Sequence, residues 1–321
     1  MNDKVCAITL NLNQNEYSIK CVESLLKTDY KNLLILLIDN GSTNNNYQEL
    51  RNGLPKDDRI ILHRLEKNLG YVGGINYGLR ESLRIKPDYY LIMNNDTIID
   101  SEAIKELVNC CKRYDNKAII TGKIFYYNNP TIIQTVGNKF KNKRTFEIHM
   151  VGNGEKDVGQ YDKEEERDMI DDIFWLFPAK LFEVIGYYSA WYGFGFEQAD
   201  FAQKAKNNDY KLIYTPKAKL QHKINATVGH DIRTPYKAFW SIQGHLMFKW
   251  SYISKDAFIK SYFLTSLEIL SAFRYDILHI FNKKIDRRFA YAKLIGFLRF
   301  HLWTILKMPC DRYIPKRLIF K

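Results

Sequence analysis

Residues 89–97 read YYLIMNNDT, a short apolar run that ends abruptly in two amides and a carboxylate. This pattern is typical of a buried parallel strand that delivers polar groups at its C-terminal end. Ligands of open α/β sheets bind outside the carboxyl ends of the strands, so Asp96 lies where a binding site is expected. A carboxylate beside amides suits a hard divalent cation that keeps waters and takes phosphate oxygens as ligands. For the tripeptide alone, an Asx-rich turn is the simpler interpretation.

Two earlier apolar runs end in the same way. Residues 5–10 are followed by NLN (11–13), and residues 33–38 are followed by DNGS (39–42). Apolar residues at helical spacing separate these strands. Strands that alternate with helices predict βαβ units and a mainly parallel sheet, so the polar ends are expected on one edge of it.

Residues 68–78, NLGYVGGINYG, form a glycine-rich run that leads into a helix to about residue 85. Its glycines fit a turn-to-helix segment at which the backbone approaches a ligand closely. The spacing is not GxGxxG and no Walker lysine follows, so a dinucleotide or P-loop site is not indicated. Asp39 can accept a bond from a nucleobase N–H, and Asp96 can hold a cation at the phosphates. Together with the glycine-rich run, they indicate a nucleotide site.

Composition narrows the class of partner and the compartment. The formal net charge of +12 implies an anionic partner. Zinc-finger spacing, basic-zipper heptads and aromatic RNA-binding signatures are missing, which favours a phosphosugar or lipid headgroups over nucleic acid. The five cysteines are odd in number and show no CxxC spacing, which favours free thiols in a reducing cytosol. Without a signal peptide or an uncharged apolar run of about 20 residues, we expect a cytoplasmic protein, soluble or peripheral at the inner face of the cell membrane.

The region after the strand at residues 89–93 is predicted to be less regular. A helix from Ser101, whose hydroxyl is suited to cap it, is expected to run to about Tyr114. Asn, Gly and Lys are frequent among residues 115–170, and the charged run over 161–167 predicts a solvated loop.

In this order, the motifs resemble those of family 2 inverting glycosyltransferases of the GT-A fold, nearest to the rhamnosyltransferase-like branch. Residues 94–96 match the position of the family's DXD motif, and residues 197–200, EQAD, match that of its acidic motif. His222 is a further match. The resemblance runs from about residue 4 to about residue 225, and residues 68–78 are its most specific part.

The resemblance implies a mainly parallel nucleotide-binding sheet and transfer of a hexose, rhamnose included, from a nucleotide-diphosphate sugar. The acceptor would be a hydroxyl of a glycan or a lipid-linked glycan. Asp39 would read the nucleobase, Asp96 would bind Mg²⁺ or Mn²⁺ at the diphosphate, and His222 would complete the metal or phosphate shell. The other residues implied to line the donor site are Asn11, Asn13, Ser42, Asn68, Gly70, Gly73, Gly74, Asn76, Asn94 and Asn95.

Two motifs depart from the family pattern. Amides at 94 and 95 replace possible carboxylates, which predicts a modest metal affinity. The second residue of the acidic pair is Gln198, and an amide cannot act as a base. Glu197 is then the preferred base for the acceptor hydroxyl and Asp200 the alternative, although both also suit a helix N-terminus. If neither reaches an acceptor, the chain would bind sugar nucleotides or glycans without turnover.

Other residues are candidates for the acceptor side. Trp191 and Tyr192 suit stacking on a sugar face, and a core aromatic cluster explains them at least as well. Asp171 and Asp172 precede an apolar run as the family's acceptor-side segment does, and a helix N-terminus explains them equally well.

The composition changes after about residue 228. We predict a GT-A domain over residues 1–228 and a mostly helical, basic and aromatic-rich region over 229–321. Residues 258–273 and 291–306 have the pattern of amphipathic helices with basic flanks, which is typical of membrane interfaces. The closing KRLIFK (316–321) favours contact with anionic lipid. The alternatives are packing on the catalytic body or in a homo-oligomer, and a non-catalytic membrane scaffold.

Overall fold

The computed structural model describes residues 3–223, 234–279 and 288–306. The first half alternates strands and helices as the pattern predicts. Its elements are β1 (Val5–Asn11), α1 (Asn15–Leu26), β2 (Leu33–Asp39), α2 (Asn44–Gly53), β3 (Ile60–Arg64), α3 (Gly70–Ser82), β4 (Tyr89–Met93), β5 (Thr97–Ile99) and α4 (Ala103–Arg113).

The second half begins with strands and ends with helices. Its strands are β6 (Ala118–Tyr126), β7 (Asn129–Thr135), β8 (Asn138–Asn142), β9 (Glu147–Met150), β10 (Glu165–Glu166), β11 (Phe174–Pro178) and β12 (Lys211–His222). Its helices are α5 (Ala179–Ile185), α6 (Glu197–Asn207), α7 (Pro235–Tyr252), α8 (Lys255–Leu278) and α9 (Arg288–Ile305).

One large sheet organises the molecule, in the order β10-β12-β6-β11-β4-β1-β2-β3. Strands β3, β2, β1 and β4 pair in parallel, whereas β11 runs antiparallel to both β4 and β6. The predicted mainly parallel sheet flanked by helices, with a helical C-terminal region, is thus confirmed. The parallel half matters most for function, because its strands bring their carboxyl ends to one edge.

The central strands are buried on both faces, which explains their continuous apolar runs. Alternate residues of a strand point to opposite faces. Ile8 and Ile92 accordingly belong to the core cluster that includes α3 and residues of α7–α9. Ala7 and Leu91 belong to the cluster on the other face, which includes α1 and α4.

Two local predictions are correct only in part. The helix predicted from Ser101 is present, and most of the run over 161–167 is exposed. Helix α4 begins at Ala103 after Glu102, and Ser101 does not cap it; the Asp100 carboxylate instead accepts a bond from the Glu102 N–H at 3.1 Å. The stretch 115–170 contains β6–β10, and the charged run predicted as a solvated loop contributes β10 and the buried Arg167. Several of these strands are short, polar and antiparallel, so they lack the apolar run of a central strand.

The C-terminal helices share a core with the large sheet. Leu246 of α7, Ile269 of α8 and Phe300 of α9 lie in the same core cluster as Ile8 and Ile92. Among the described residues, no helix combines the length and the apolar character required to cross a bilayer. The predicted boundary at 228/229 and the KRLIFK segment lie outside the described residues. Of the five cysteines, Cys310 also lies outside, and the four described ones are free and buried.

Candidate active site

The ends of β1, β2 and β4 are joined by a buried hydrogen-bonded network. Asn11 pairs in register with Asp39, and its Nδ2 donates to Asp39 Oδ1 at 2.8 Å. Ser42 Oγ donates to the same oxygen at 2.5 Å. Ser18 Oγ donates to Asn11 Oδ1 and accepts from Asn95 Nδ2, both at 2.7 Å. We call these five residues the edge network.

The edge network unites four predicted site residues and adds Ser18, which the sequence analysis missed. Ser18 lies in α1 and has no motif of its own; only its position one turn into the helix after β1 could have indicated it. Asp39 has no exposed surface. The predicted contact between Asp39 and a nucleobase therefore stays a prediction, and the structure shows this carboxylate holding the loops together.

Asn13 connects the same two loops at the surface. It adopts a left-handed backbone conformation, and its N–H donates to Ser42 Oγ at 2.9 Å. Its Oδ1 accepts from the Thr43 N–H at 3.1 Å. Because Asn13 is exposed, it lies where a ligand can reach it.

The glycine-rich run is held by Asn40, which sequence reasoning quoted but did not select. Its Nδ2 donates to Asn68 Oδ1 at 3.2 Å and to Gly70 O at 3.1 Å. Its Oδ1 accepts from the Leu69 N–H at 3.0 Å. Gly41, at φ +81°, passes so close that a Cβ would lie 2.4 Å from Asn68 N. The partly exposed turn at residues 68–70 is therefore fixed against the end of β2.

Three predicted donor-site residues in α3 face the protein interior. A Cβ on Gly74 would lie 2.8 Å from Leu10 Cδ1, so this glycine allows close packing on β1. Gly73 is buried. Asn76 Nδ2 donates to Tyr188 O at 2.8 Å, and its Oδ1 accepts from the Tyr188 N–H at 3.0 Å. Gly74 and Asn76 thus serve packing and the attachment of a loop, and the donor-site role predicted for them stays a prediction.

Asp96 and His222 meet although 125 residues separate them in the chain. Strand β5 pairs with β12 and places His222 opposite Thr97, next to Asp96. Asp96 Oδ1 lies 3.2 Å from His222 Nε2, and both side chains are about 8% exposed. His222 Nδ1 is 2.9 Å from Gln134 Oε1, which can only accept. Nδ1 is therefore placed to donate to Gln134, and Nε2 faces the Asp96 carboxylate.

An imidazole nitrogen and a carboxylate oxygen this close together suit coordination of a divalent cation, because both are common metal ligands. Asp96 Oδ1 has no hydrogen-bond donor. Among the described residues there is no group of three or more metal-ligating side chains. The pair therefore fits Mg²⁺ or Mn²⁺, which commonly bind through one or two protein ligands and complete their shell with water and phosphate.

The acidic motif forms the first turn of α6, where both carboxylates are buried. Asp200 Oδ1 accepts from the Tyr252 hydroxyl of α7 at 2.7 Å. Its Oδ2 lies 2.8 Å from Lys204 Nζ. One oxygen of Asp200 thus joins α6 to α7, and the other is paired within α6. Glu197 instead faces tyrosines: its charge contributes to the raised pKa of Tyr71.

Asp171 and Asp172 precede strand β11 and not a helix. Burial raises the pKa of the Asp172 carboxyl to about 7, and the charge of Asp171 adds to the effect. The Tyr71 hydroxyl donates to Asp172 Oδ2 at 2.7 Å and opposes it. Burial also raises the pKa of Asp171, whereas the hydrogen bond from the Asn138 amide and, less strongly, that from Gln198 lower it. We call Asp171, Asp172 and Glu197 the acidic cluster.

The two aromatic residues predicted to bind the acceptor are in the core. Trp191 is 2% exposed and Tyr192 is 0% exposed. Gln243 of α7 donates a hydrogen bond to Trp191 O, and the Arg299 guanidinium lies 5.6 Å from the centroid of the Trp191 ring system. Neither ring presents a face on which a sugar could stack, so the alternative interpretation as a core aromatic cluster describes their placement.

Residues 6–174 match the family described as glycosyl transferase family 2. The chain belongs to this family. Glycosyltransferase GlyG of Streptococcus pneumoniae serotype 4 is 29% identical over 129 residues, which cover 40% of each protein. Glycosyltransferase GlyA of the same organism is 23% identical over 229 residues, 70% of this chain and 31% of GlyA. The matched parts thus span less than half the length of these two relatives.

Solved structures show the same fold. GalNAc-T7, crystallised with UDP, GalNAc and Mn²⁺, superposes with a TM-score of 0.63 at 15% identity and covers 95% of this chain and 57% of its own. Staphylococcus aureus TarS (residues 1–349) gives a TM-score of 0.51 at 15% identity, over 79% of this chain and 67% of its own. At these identities the likeness concerns the fold, and it agrees with the GT-A-like architecture expected from the sequence.

Proposed function

We propose that this glycosyltransferase moves a hexose from a nucleotide-diphosphate sugar to a glycan or lipid-linked glycan hydroxyl by inverting displacement. The observation that carries the proposal is the convergence of Asp96 Oδ1 and His222 Nε2, 3.2 Å apart, beside the edge network. The proposal is supported by the Mn²⁺ and UDP of GalNAc-T7, which has the same fold. The resemblance to the rhamnosyltransferase-like branch makes rhamnose a candidate donor sugar.

Within this proposal, each residue group has a distinct task. When bound by Asp96 and His222, Mg²⁺ or Mn²⁺ would neutralise the charge that develops on the departing diphosphate. The exposed Asn13, the partly exposed Asn94 and the turn at residues 68–70 would line the donor site, and the edge network would hold them in place. A carboxylate of the cleft would take the proton of the acceptor hydroxyl. Glu197 remains the sequence-derived base, whereas both oxygens of Asp200 are occupied.

The test is a turnover assay with a panel of donors. UDP-GalNAc, UDP-GlcNAc, UDP-glucose and dTDP-rhamnose are each incubated with the full chain, and release of nucleoside diphosphate is measured with Mn²⁺, with Mg²⁺ and with EDTA. We expect release from at least one donor, and loss of release with EDTA. Ligand-induced thermal stabilisation without any release would favour the rival function, a non-catalytic sugar-nucleotide-binding protein, for which Gln198 is the motive.

We further propose that α8 places this enzyme on the cytoplasmic face of a membrane. Lys260 and Arg274 lie on an exposed side of α8, and Asp256 on that side is paired with Arg144. Such a basic apolar face suits an interface containing anionic lipid. The large apolar residues exposed on this side are Ile259, Phe263, Leu264, Leu267, Leu270, Ile277 and Leu278.

Flotation with phosphatidylcholine vesicles, with and without phosphatidylglycerol, tests the membrane proposal. We expect binding that needs phosphatidylglycerol and that falls at least several-fold in the double variant Phe263→Gln, Leu270→Gln. Val158→Gln is the matched control, because Val158 is 76% exposed in another part of the molecule. A concentration-dependent dimer without flotation would assign the face to a second copy of the chain.

A further inference from the structure

Asp172 lies at the same sheet edge as the proposed metal ligands. Strand β11 pairs with β4 so that Phe174 stands opposite Met93. Just beyond this pair, Ile173 O accepts from the Asn94 N–H at 3.1 Å. Asp172 therefore enters the sheet beside the Asn94–Asp96 segment, at the place where β4 delivers its polar groups.

The Asp172 carboxyl is enclosed by groups from three segments, and solvent still reaches the cluster. Tyr71 of α3 donates to it, and the Tyr188 hydroxyl approaches without a bond of good geometry. Asp171 is its neighbour in the chain, and Glu197 of α6 acts on both tyrosines through its charge. Tyr71 and Asp171 are partly exposed, and Asp172 keeps 7% of its surface. The carboxyl is thus almost fully buried, next to two partly exposed side chains.

Two residues of the acidic motif, Asp200 and Gln198, are already committed to other contacts. Asp200 is held by Tyr252 and Lys204. Gln198 carries an amide and interacts with Asp171. Asp172, in contrast, has one hydrogen bond to an oxygen and a pKa of about 7, close to the value at which a general base is most effective near neutral pH.

We infer that Asp172 is the general base of the transfer reaction and that Tyr71 positions it; this inference rests on the proposed function. The Asp172 carboxylate takes the proton of the attacking hydroxyl as the oxygen forms its bond to the anomeric carbon. The bond from that carbon to the diphosphate oxygen breaks, and the electron pair leaves with the nucleoside diphosphate. Water in place of a glycan gives the same balance and yields the free sugar.

The inference is tested by the pH dependence of turnover, with a donor found active in the panel and water as the acceptor. Asp172→Asn should lower the rate by about 100-fold or more, with unchanged UDP–Mn²⁺ binding in a thermal-shift titration. The wild type should lose activity below an apparent pKa near 7. Glu197→Gln should keep this fall in activity on the acidic side of the pH–rate profile, which we call the acidic limb.

Two variants should move the acidic limb in opposite directions. Tyr71→Phe removes a hydrogen bond to the carboxylate, so the limb should move to higher pH. Asp171→Asn removes a like charge, so it should move to lower pH. A merely structural Asp172 would show neither shift. The two shifts also stand if Asp172→Asn fails to fold.

Several results would overturn the assignment. These are a rate for folded Asp172→Asn within about threefold of the wild type, a limb that Tyr71→Phe and Asp171→Asn leave in place, or a limb removed by Glu197→Gln. In each case the proposed function still stands if the wild-type protein releases nucleoside diphosphate. Absence of release from every donor by the wild type would remove the proposed function and this inference together.

Discussion

The edge network and the acidic cluster are both buried and polar, but they satisfy their polar groups in different ways. In the edge network, Asn11 and Ser18 each make several short hydrogen bonds, so burial leaves little unpaired. In the acidic cluster, burial raises the pKa of Asp171 and Asp172, so the folded protein holds carboxyls that resist ionisation. Saturated networks rigidify a fold, whereas poorly compensated titratable groups are typical of reactive sites. We therefore expect the edge network to stabilise the loops of the site and the acidic cluster to take part in the reaction.

The strongest test of this separation is Asp96→Asn, which should destroy turnover and leave the fold intact. Loss of the carboxylate removes half of the protein's proposed hold on the cation, and several kcal/mol of charge stabilisation correspond to about a 1,000-fold lower rate. Nucleoside diphosphate release and the Mn²⁺-dependent thermal shift with UDP measure the effect. Asp58→Asn, the same change at an exposed position, is the control. Unaltered turnover in Asp96→Asn would remove the metal from the proposal.

The acidic cluster should also reveal itself in stability against pH. Because the pKa of folded Asp172 is about 7 against an ordinary value of 3.8, the folded protein keeps a proton that the unfolded chain releases. The free energy of unfolding should therefore fall as pH rises from about 4 to about 7 and then stay level. Asp172→Asn should lack this fall and gain on the wild type by at most about 4 kcal/mol between pH 4 and pH 8.

Urea unfolding at a series of pH values measures the difference. The other titrating groups are common to both proteins, so the difference isolates position 172. Curves that run parallel would show that the carboxyl is not destabilised by burial, and the contrast between the two regions would lose its electrostatic basis.

Substitutions in the edge network should mainly lower the free energy of unfolding. Asn11→Ala removes the donor to Asp39 and the acceptor for Ser18, and leaves both partners buried. Each unsatisfied group costs about 1–3 kcal/mol, so we expect a loss of about 3 kcal/mol in urea unfolding at constant m-value. Asn13→Gly, at the exposed end of the same loops, keeps the left-handed backbone free of strain and should cost less than about 1 kcal/mol. Equal losses at 11 and 13 would mean that the buried part carries no special weight.

The smallest effect is expected at Asp200, which resembles a catalytic carboxylate in sequence and is structural in its contacts. Tyr252→Phe removes one hydrogen bond to Asp200 and leaves Lys204 in place. We expect a loss of about 1 kcal/mol in stability and an unchanged rate of donor turnover. A rate that falls by tenfold or more in the folded variant would return Asp200 to the catalytic residues.

Sequence reasoning worked best where one local pattern determines both structure and site. The runs ending at Asn11, Asp39 and Asn94 are apolar strands followed by polar residues, and parallel pairing then dictates a shared edge. Sequence reasoning did not show contacts between residues that are far apart in the chain. Asn76 and Tyr188 are joined only in the folded chain, and nothing near Asn76 reveals that its amide is already paired.

Burial explains the other differences between expectation and structure. An aromatic residue reads the same in a sequence whether it lines a cleft or fills a core, and Trp191 proved to be in the core. Asp172 was one of several carboxylates until the approach of Tyr71 and its raised pKa distinguished it. Strands β7–β10 were missed because edge strands half exposed to solvent have no apolar period.

The helices after residue 234 form part of the wall behind the acidic motif. Gln243 binds Trp191 O, and Tyr252 binds Asp200. A Cβ on Gly193 would lie 2.4 Å from the Trp240 ring, so the loop before α6 packs directly against α7. A chain shortened to its nucleotide-binding half would therefore lose the support of the first turn of α6, because these contacts come from α7.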